Sequence, residues 1–418
     1  MPDAEIATLT IERIGAQGDG VARWHHVLVF VPFAAPGDVV RVALGPRRGD
    51  GRAATLREVI SPGARTTPVC THFGECGGCA LQHLDAAAYA AAKEAWLAAA
   101  LARHGLVPDR VLPLQRLPAG TRRRARFQFE AARVGFHARA SHRVIDVQEC
   151  AVLHPSLLAL LTPLRRLAKT LLRSRAAGTA SAIVTQNGID LVLDLPEAPD
   201  LPQLESLAAF ATAQDLARLS WRCGDVPNPV AQRRAVQITM SGVTVDLPVD
   251  GFLQPSLDAE VALVAAVEEM IGTPRRMADL YAGIGTFTFA LARRASVHAV
   301  EGAAEAVAAL NRAAARAGLA SVVSSERRDL ATRPLDAEEC GEFDAVLFDP
   351  PYAGAPTQSR ALATSRVPRI IAVSCNPATF ARDARVLVDG GYRLVDVRPF
   401  DAFIWSANLE LVARFERT

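Results

Sequence analysis

Beyond residue 250 the sequence alternates between short apolar runs and helical stretches, and this alternation constrains the fold more than any other feature. Residues 277–281, 297–300, 322–325, 345–348 and 370–374 each read as a strand buried on both faces, and helical patterns separate them. Parallel neighbours need a crossover, and a helix is the compact way to build one. The segment therefore predicts a parallel α/β sheet wound on both faces. Such sheets bind ligands at the carboxyl ends of their strands.

Four of those strand ends carry chemistry. After residues 277–281 comes the turn Ala282-Gly283-Ile284-Gly285-Thr286, whose glycines let backbone approach a ligand; the next strand ends in Val300-Glu301. An acid there can accept from both hydroxyls of a ribose. A third glycine, which a pyrophosphate needs, is missing: Thr286-Phe287-Thr288 follows. A nucleoside cofactor without phosphates fits better, which points to S-adenosylmethionine. The strand 345–348 delivers Asp349, followed by two prolines that remove backbone donors. The strand 370–374 delivers Cys375 just before a helix starting near Ala378, where the helix dipole is expected to lower a thiol pKa. Glu410 stands between Leu409 and Leu411 in a late strand, and such surroundings should resist ionisation and tune it as a proton acceptor. The bland alternatives are an ordinary βα turn, an inert buried cysteine and a solvent-facing glutamate. The inert-cysteine reading weakens because that strand end coincides with the cofactor edge.

Ahead of this unit the pattern differs. Residues 4–62 are β-rich and punctuated by Gly18-Asp19-Gly20, Pro36-Gly37 and Gly49-Asp50-Gly51, as in a small β-barrel. Cys70, Cys76 and Cys79 sit in a glycine-bearing loop, and residues 84–104 read as an alanine-rich helix. Residues 106–250 mix strands (126–130, 134–137, 144–147) with a helix over 155–174. At 418 residues, two or three domains are expected. Seven cysteines without a secretion signal argue for metal or catalytic use rather than disulfides. The net charge is only +2, yet arginines cluster at Arg122, Arg123, Arg124 and Arg126, a pattern suited to phosphate, with a solvated face as the plain alternative. No apolar run is long enough for a membrane span, so a cytoplasmic protein without membrane or obligate protein partners is expected.

Taken in order, CTHFGECGGCALQH (70–83), TRRRARFQF (121–129), VGFHARASHRVIDVQEC (134–150), GFLQ (251–254), DLYAGIGTF (279–287), FDPPYAG (348–354) and SCNPATFARD (374–383) resemble the RNA uracil-C5 methyltransferases, which make 5-methyluridine in tRNA and 23S rRNA. The resemblance implies a class I, Rossmann-like α/β methyltransferase domain (251–418), an N-terminal TRAM-type β-barrel (1–63) and a mixed α+β central domain (64–250). It implies Cys375 as nucleophile and Glu410 as base. Gln254, Tyr281, Thr286, Glu301, Asp329 and Asp349 would line the cofactor and target base, and Cys70, Cys76, Cys79 and Cys150 would ligate a [4Fe–4S] cluster. The RNA expected is 23S rRNA, with tRNA as the alternative. Asp349-Pro350-Pro351-Tyr352 also spells the motif of adenine N6 methyltransferases, but those need neither cysteine nor late base. A non-catalytic RNA-binding iron–sulfur protein would lack the cofactor unit at 279–301. Tyr352 stands where the family usually has arginine, and Ile404-Trp405-Ser406-Ala407-Asn408 replaces the pattern common before the base in the 23S rRNA branch.

Overall fold

The computed structural model describes residues 5–130, 133–172 and 177–417. The expected helix over 155–174 is two helices, Pro155–Ala159 and Leu161–Leu171, meeting at Leu160; its last residues, Arg173 and Ser174, lie outside the described residues.

Six strands, from Ile6–Thr10 to Gly51–Ser61, form the N-terminal sheet. Alternation turns Ala7 and Leu9 inward along the first strand, onto a small core with Val29, Val31, Val40 and Val42. A central seven-stranded sheet, from Arg124–Glu130 to Asn228–Gln232, carries Leu161–Leu171 and Leu201–Ala213 against one face.

The C-terminal sheet holds the expected strands in the order Val323–Arg327, Ser296–Glu301, Arg276–Leu280, Ala345–Phe348, Arg369–Ser374. All five run parallel. Glu410–Arg417 and Tyr392–Asp401 then add antiparallel partners. Order reverses about Arg276–Leu280, which pairs with Ser296–Glu301 on one side and Ala345–Phe348 on the other. The crevice between diverging connections opens at the carboxyl ends of these strands.

Two departures from the sequence reading concern where segments pack. The helix Ala86–Arg103, the strands Arg110–Val111 and Gln115–Arg116, and the intervening chain fall within the expected central domain. They join the C-terminal sheet instead: both short strands pair parallel with Tyr392–Asp401, and Leu97, Ala100, Leu101 and Leu106 enter the core beneath it. The hairpin Gln237–Met240/Val243–Asp246 likewise buries Ile238, Met240 and Val245 in the C-terminal core. Burying apolar faces, rather than sequence adjacency, decides both placements. Among the described residues no helix is long and apolar enough to cross a membrane.

Candidate active site

A cavity of about 1940 Å³ runs from the cysteine loop past the arginines to the C-terminal sheet edge. Gln254, Tyr281, Thr286, Glu301, Asp329, Asp349, Cys375 and Glu410 all line it, as do Cys70, Cys76, Cys79, Cys150, Arg122, Arg124 and Arg126. Of the residues expected at a site, Arg123 alone is absent from its wall.

The cofactor end is built by the glycine turn. Leu280 closes its strand and Tyr281 takes a left-handed backbone (φ 62°), a strained conformation for a bulky side chain. The turn then passes through Gly283 (φ 58°) and Gly285 (φ 104°); a β-carbon on Gly285 would meet the Phe289 ring at 2.5 Å, whereas Gly283 faces open space. The helix that follows is short, Thr288–Leu291. Glu301 holds this turn: its carboxylate accepts from the N–H of Gly283 at 3.0 Å and of Ala303 at 2.8 Å. Each oxygen keeps a lone pair for a ribose hydroxyl. Sequence reasoning passed over Asp279. It is wholly buried, accepts from Thr288 Oγ1 at 2.6 Å and leaves Oδ1 without a partner, while burial first, then neighbouring Asp349 and Glu301, push its pKa up to about 7. Its place at a strand end inside the glycine motif was the signal available. These features fit S-adenosylmethionine. Thr286 turns its hydroxyl toward Met240 Sδ (3.9 Å), and the exposed Asp329 caps its own turn through Ala331 N and Thr332 Oγ1.

At the chemical end, Gln254 Nε2 donates to Asp349 Oδ2 at 3.3 Å, so the buried amide has its partner. Burial pushes Asp349 up to about 7 despite that bond. Glu410 is buried and its carboxyl lies well above the usual range, through burial and then the nearby Asp349. Two carboxyls sharing a dry site resist double ionisation, so the expected tuning of Glu410 is met. Cys375 behaves oppositely to expectation. The helix Pro377–Asp389 does start beside it, but Asn376 caps that terminus by accepting from Ala378 N at 3.0 Å. Burial, then Glu410 and Asp349, push the thiol up to about 12. Desolvation and two acidic neighbours outweigh the dipole.

The cysteine loop is laced to the central domain. Gly77 N donates to His137 O (2.9 Å), Gln148 N to His72 Nε2 (3.0 Å) and Thr71 Oγ1 to Glu149 (2.7 Å), which brings the distant Cys150 alongside. All four thiols are free of disulfides. Burial, then the neighbouring cysteines, raise Cys79 to about 12; burial and Cys150 also raise Cys70 and Cys76. Among the described residues no three His, Cys, Asp or Glu side chains are grouped to hold a metal ion.

The arginines divide. Arg123 lies at the joint between the central and C-terminal sheets, paired with the buried Glu260 at 2.5 Å and donating from Nε to Gln254 O at 3.1 Å. Arg126 pairs with Asp194 at 3.1 Å on the surface. Arg124 donates to Leu253 O (2.7 Å) and stacks over the exposed Phe252 ring at 4.7 Å, while Arg122 lies over Phe403 at 5.8 Å.

Comparison with known proteins bears on this site. Residues 233–417 match the tRNA (uracil-5-)-methyltransferase family. An RNA methyltransferase of Rhizobium meliloti, itself uncharacterised, is 40% identical over 98% of this chain and 99% of its own length. A 23S rRNA (uracil(1939)-C(5))-methyltransferase of Chromohalobacter salexigens is 37% identical over 98% of this chain and 89% of its own. The crystal structure of a Pyrococcus abyssi tRNA (uracil-54, C5)-methyltransferase with S-adenosyl-L-homocysteine superposes with a TM-score of 0.74 over 98% of this chain and all of that one, at 22% identity, and so shares its fold. Sequence, fold and cofactor edge agree: the chain belongs to the S-adenosylmethionine-dependent RNA uracil-C5 methyltransferases.

Proposed function

We propose that the protein methylates carbon 5 of a uridine in 23S rRNA through a covalent bond between Cys375 and carbon 6 of the base. The observation carrying this reading is that Cys375, Asp349 and Glu410 come together at one sheet edge, near enough for each carboxyl to raise the thiol's pKa. The 23S rRNA relative, similar over nearly the full length, supports the choice of RNA.

Carbon 5 of uracil is a weak nucleophile. The Cys375 thiol passes its proton to the neighbouring Asp349 carboxylate as its sulfur attacks carbon 6, which moves the C5–C6 π electrons toward carbon 5 and the O4 carbonyl and gives an enolate. S-adenosylmethionine, when bound, would supply an electrophilic methyl group to carbon 5 and leave as S-adenosylhomocysteine. Glu410 then accepts the proton from carbon 5; its electrons rebuild the C5–C6 double bond and expel the thiolate. Gln254 and Asp349, joined to each other, face the imide edge. A stacked base cannot reach these groups, so the uridine must be flipped or unpaired. Arg122 and Arg124, beside Phe403 and Phe252, would bear on the surrounding strand, and the TRAM-type barrel would extend that grip.

Cys70, Cys76, Cys79 and Cys150, all free thiols lining the same cavity, would ligate the [4Fe–4S] cluster that the family resemblance implies. Such a group would tie the loop to the central sheet.

Labelled cofactor and total RNA test the reaction. With Glu410→Gln, a labelled protein–RNA band should accumulate on a denaturing gel, since methyl transfer precedes proton loss; Cys375→Ala should give no band and no 5-methyluridine. A labelled adduct with Cys375→Ala would overturn the nucleophile. Label confined to tRNA would overturn the substrate alone.

A further inference from the structure

The chain has two lysines, Lys93 and Lys169, among 46 basic residues, and Lys93 is wholly buried. Where arginine is the default cation, a buried lysine points to a position needing a compact ammonium with three divergent donors. Lys93 uses all three: Nζ donates to Asp401 Oδ1 at 2.5 Å, Asn408 O at 2.8 Å and Phe403 O at 3.1 Å. The two carbonyls stand near opposite ends of the loop joining Tyr392–Asp401 to Glu410–Arg417, so one ammonium closes the loop upon itself.

One helical turn away, Tyr89 adds a second fastening. Its hydroxyl donates to Asp401 Oδ2 at 2.7 Å and accepts from Trp405 N at 2.8 Å. Trp405 is left-handed (φ 56°), and its carbonyl accepts from both Ala80 N (2.8 Å) and Leu81 N (3.0 Å), immediately after Cys79. Phe403, Ile404, Ser406 and Asn408 of this loop line the cavity, and Glu410 follows at once.

We propose that Lys93, with Tyr89 and Asp401, is a positioning residue for Glu410: it fixes the 402–409 loop so that the carboxyl meets carbon 5, and it couples that loop to the cysteine segment. The inference rests on Glu410 as base. The helix Ala86–Arg103 thus serves the proton-removal half of the reaction without touching RNA.

The test compares Tyr89→Phe, Lys93→Met and the charge-balanced pair Lys93→Met with Asp401→Asn, in the full-length enzyme. Each is measured for kcat, for KM of S-adenosylmethionine, for melting temperature, and for the steady-state share of enzyme held as labelled RNA adduct. Tyr89→Phe loses the hydroxyl's two hydrogen bonds, to Asp401 and from Trp405 N, so kcat should fall roughly three- to tenfold, with KM for the cofactor unchanged and the adduct share raised. Lys93→Met should fall further in the same sense, and its neutral pair should recover melting temperature but not kcat. A merely structural cluster would lower melting temperature and leave kcat and adduct share of the folded enzyme unchanged, which overturns the inference. If Lys93→Met does not fold, Tyr89→Phe and the neutral pair decide. If Glu410→Gln fails to trap adduct, the base assignment falls; if it traps adduct while these variants do not, only the present inference falls.

Discussion

At Cys375 two local influences oppose each other and their magnitudes decide. A capped helix terminus contributes at most about 1–2 kcal/mol to a nearby charge, whereas the thiol is raised from 9.0 to about 12 by burial, Glu410 and Asp349. At neutral pH the free enzyme therefore holds a thiol, and reactivity should climb as pH rises, because the thiolate fraction grows on approaching a raised pKa. Glu410→Gln removes one of the negative charges that raise it, so the thiol pKa should drop. Alkylation of Cys375 by iodoacetamide, followed residue by residue with mass spectrometry, should then be faster in Glu410→Gln than in the parent at pH values where the parent's raised Glu410 carboxyl is ionised. Equal rates would mean that Glu410 exerts no field on the sulfur. The same protection suits an enzyme whose nucleophile must stay quiet until a base occupies the cavity.

At the scale of elements, the joint between the strand Arg124–Glu130 and the helix Leu257–Ile271 controls the site. Arg123 N donates to Pro255 O (2.9 Å), and its guanidinium reaches both Gln254 O and Glu260, so the segment bearing Gln254 is pinned from the central sheet. Only 11% and 6% of the Arg123 and Glu260 side chains is exposed, so removing one partner strands a buried charge. Arg123→Ala should cost about 3–5 kcal/mol of stability and raise KM as Gln254 loses its support, both readable from urea unfolding and steady-state kinetics. Arg126→Ala breaks a pair whose arginine is 62% exposed. It should change stability by less than about 1 kcal/mol. A stability loss no larger for Arg123→Ala than for Arg126→Ala would show the joint to be slack. The four consecutive-looking arginines are thus not one phosphate clamp: strand alternation and the domain joint assign them to different neighbours.

Across the whole molecule, the central and C-terminal sheets meet along one cavity, and the cysteine loop is the piece that joins the N-terminal sheet, the central sheet and the catalytic loop. It has no regular secondary structure of its own, so a cluster spanning Cys70 to Cys150 would do the work that strands do elsewhere, by closing a long loop. Anaerobically purified protein should be brown, absorb broadly near ~400 nm and contain iron and sulfide; replacing any one of Cys70, Cys76, Cys79 or Cys150 by serine should bleach it and lower the melting temperature. Because Ala80 and Leu81 hold Trp405, the same substitutions should also slow product formation. Stoichiometric zinc without iron would exclude the cluster.

What the sequence by itself determined is whatever depends on neighbours along the chain. The parallel sheet follows from alternating apolar runs; the glycine turn with Glu301, and the strand ends carrying Asp349 and Cys375, follow from local patterns that a βα unit must satisfy. Tertiary structure alone decided the rest, because those properties depend on groups far apart in sequence. Lys93 meets Asp401 across 308 positions, and Arg123 meets Glu260 across 137. The residues 86–116 pack on the C-terminal sheet because its edge and apolar face are there to be covered. The sign of the Cys375 shift was beyond local reading for the same reason: the helix that would lower it is adjacent in sequence, whereas the burial and the Glu410 carboxyl that raise it arrive only when the sheet is assembled.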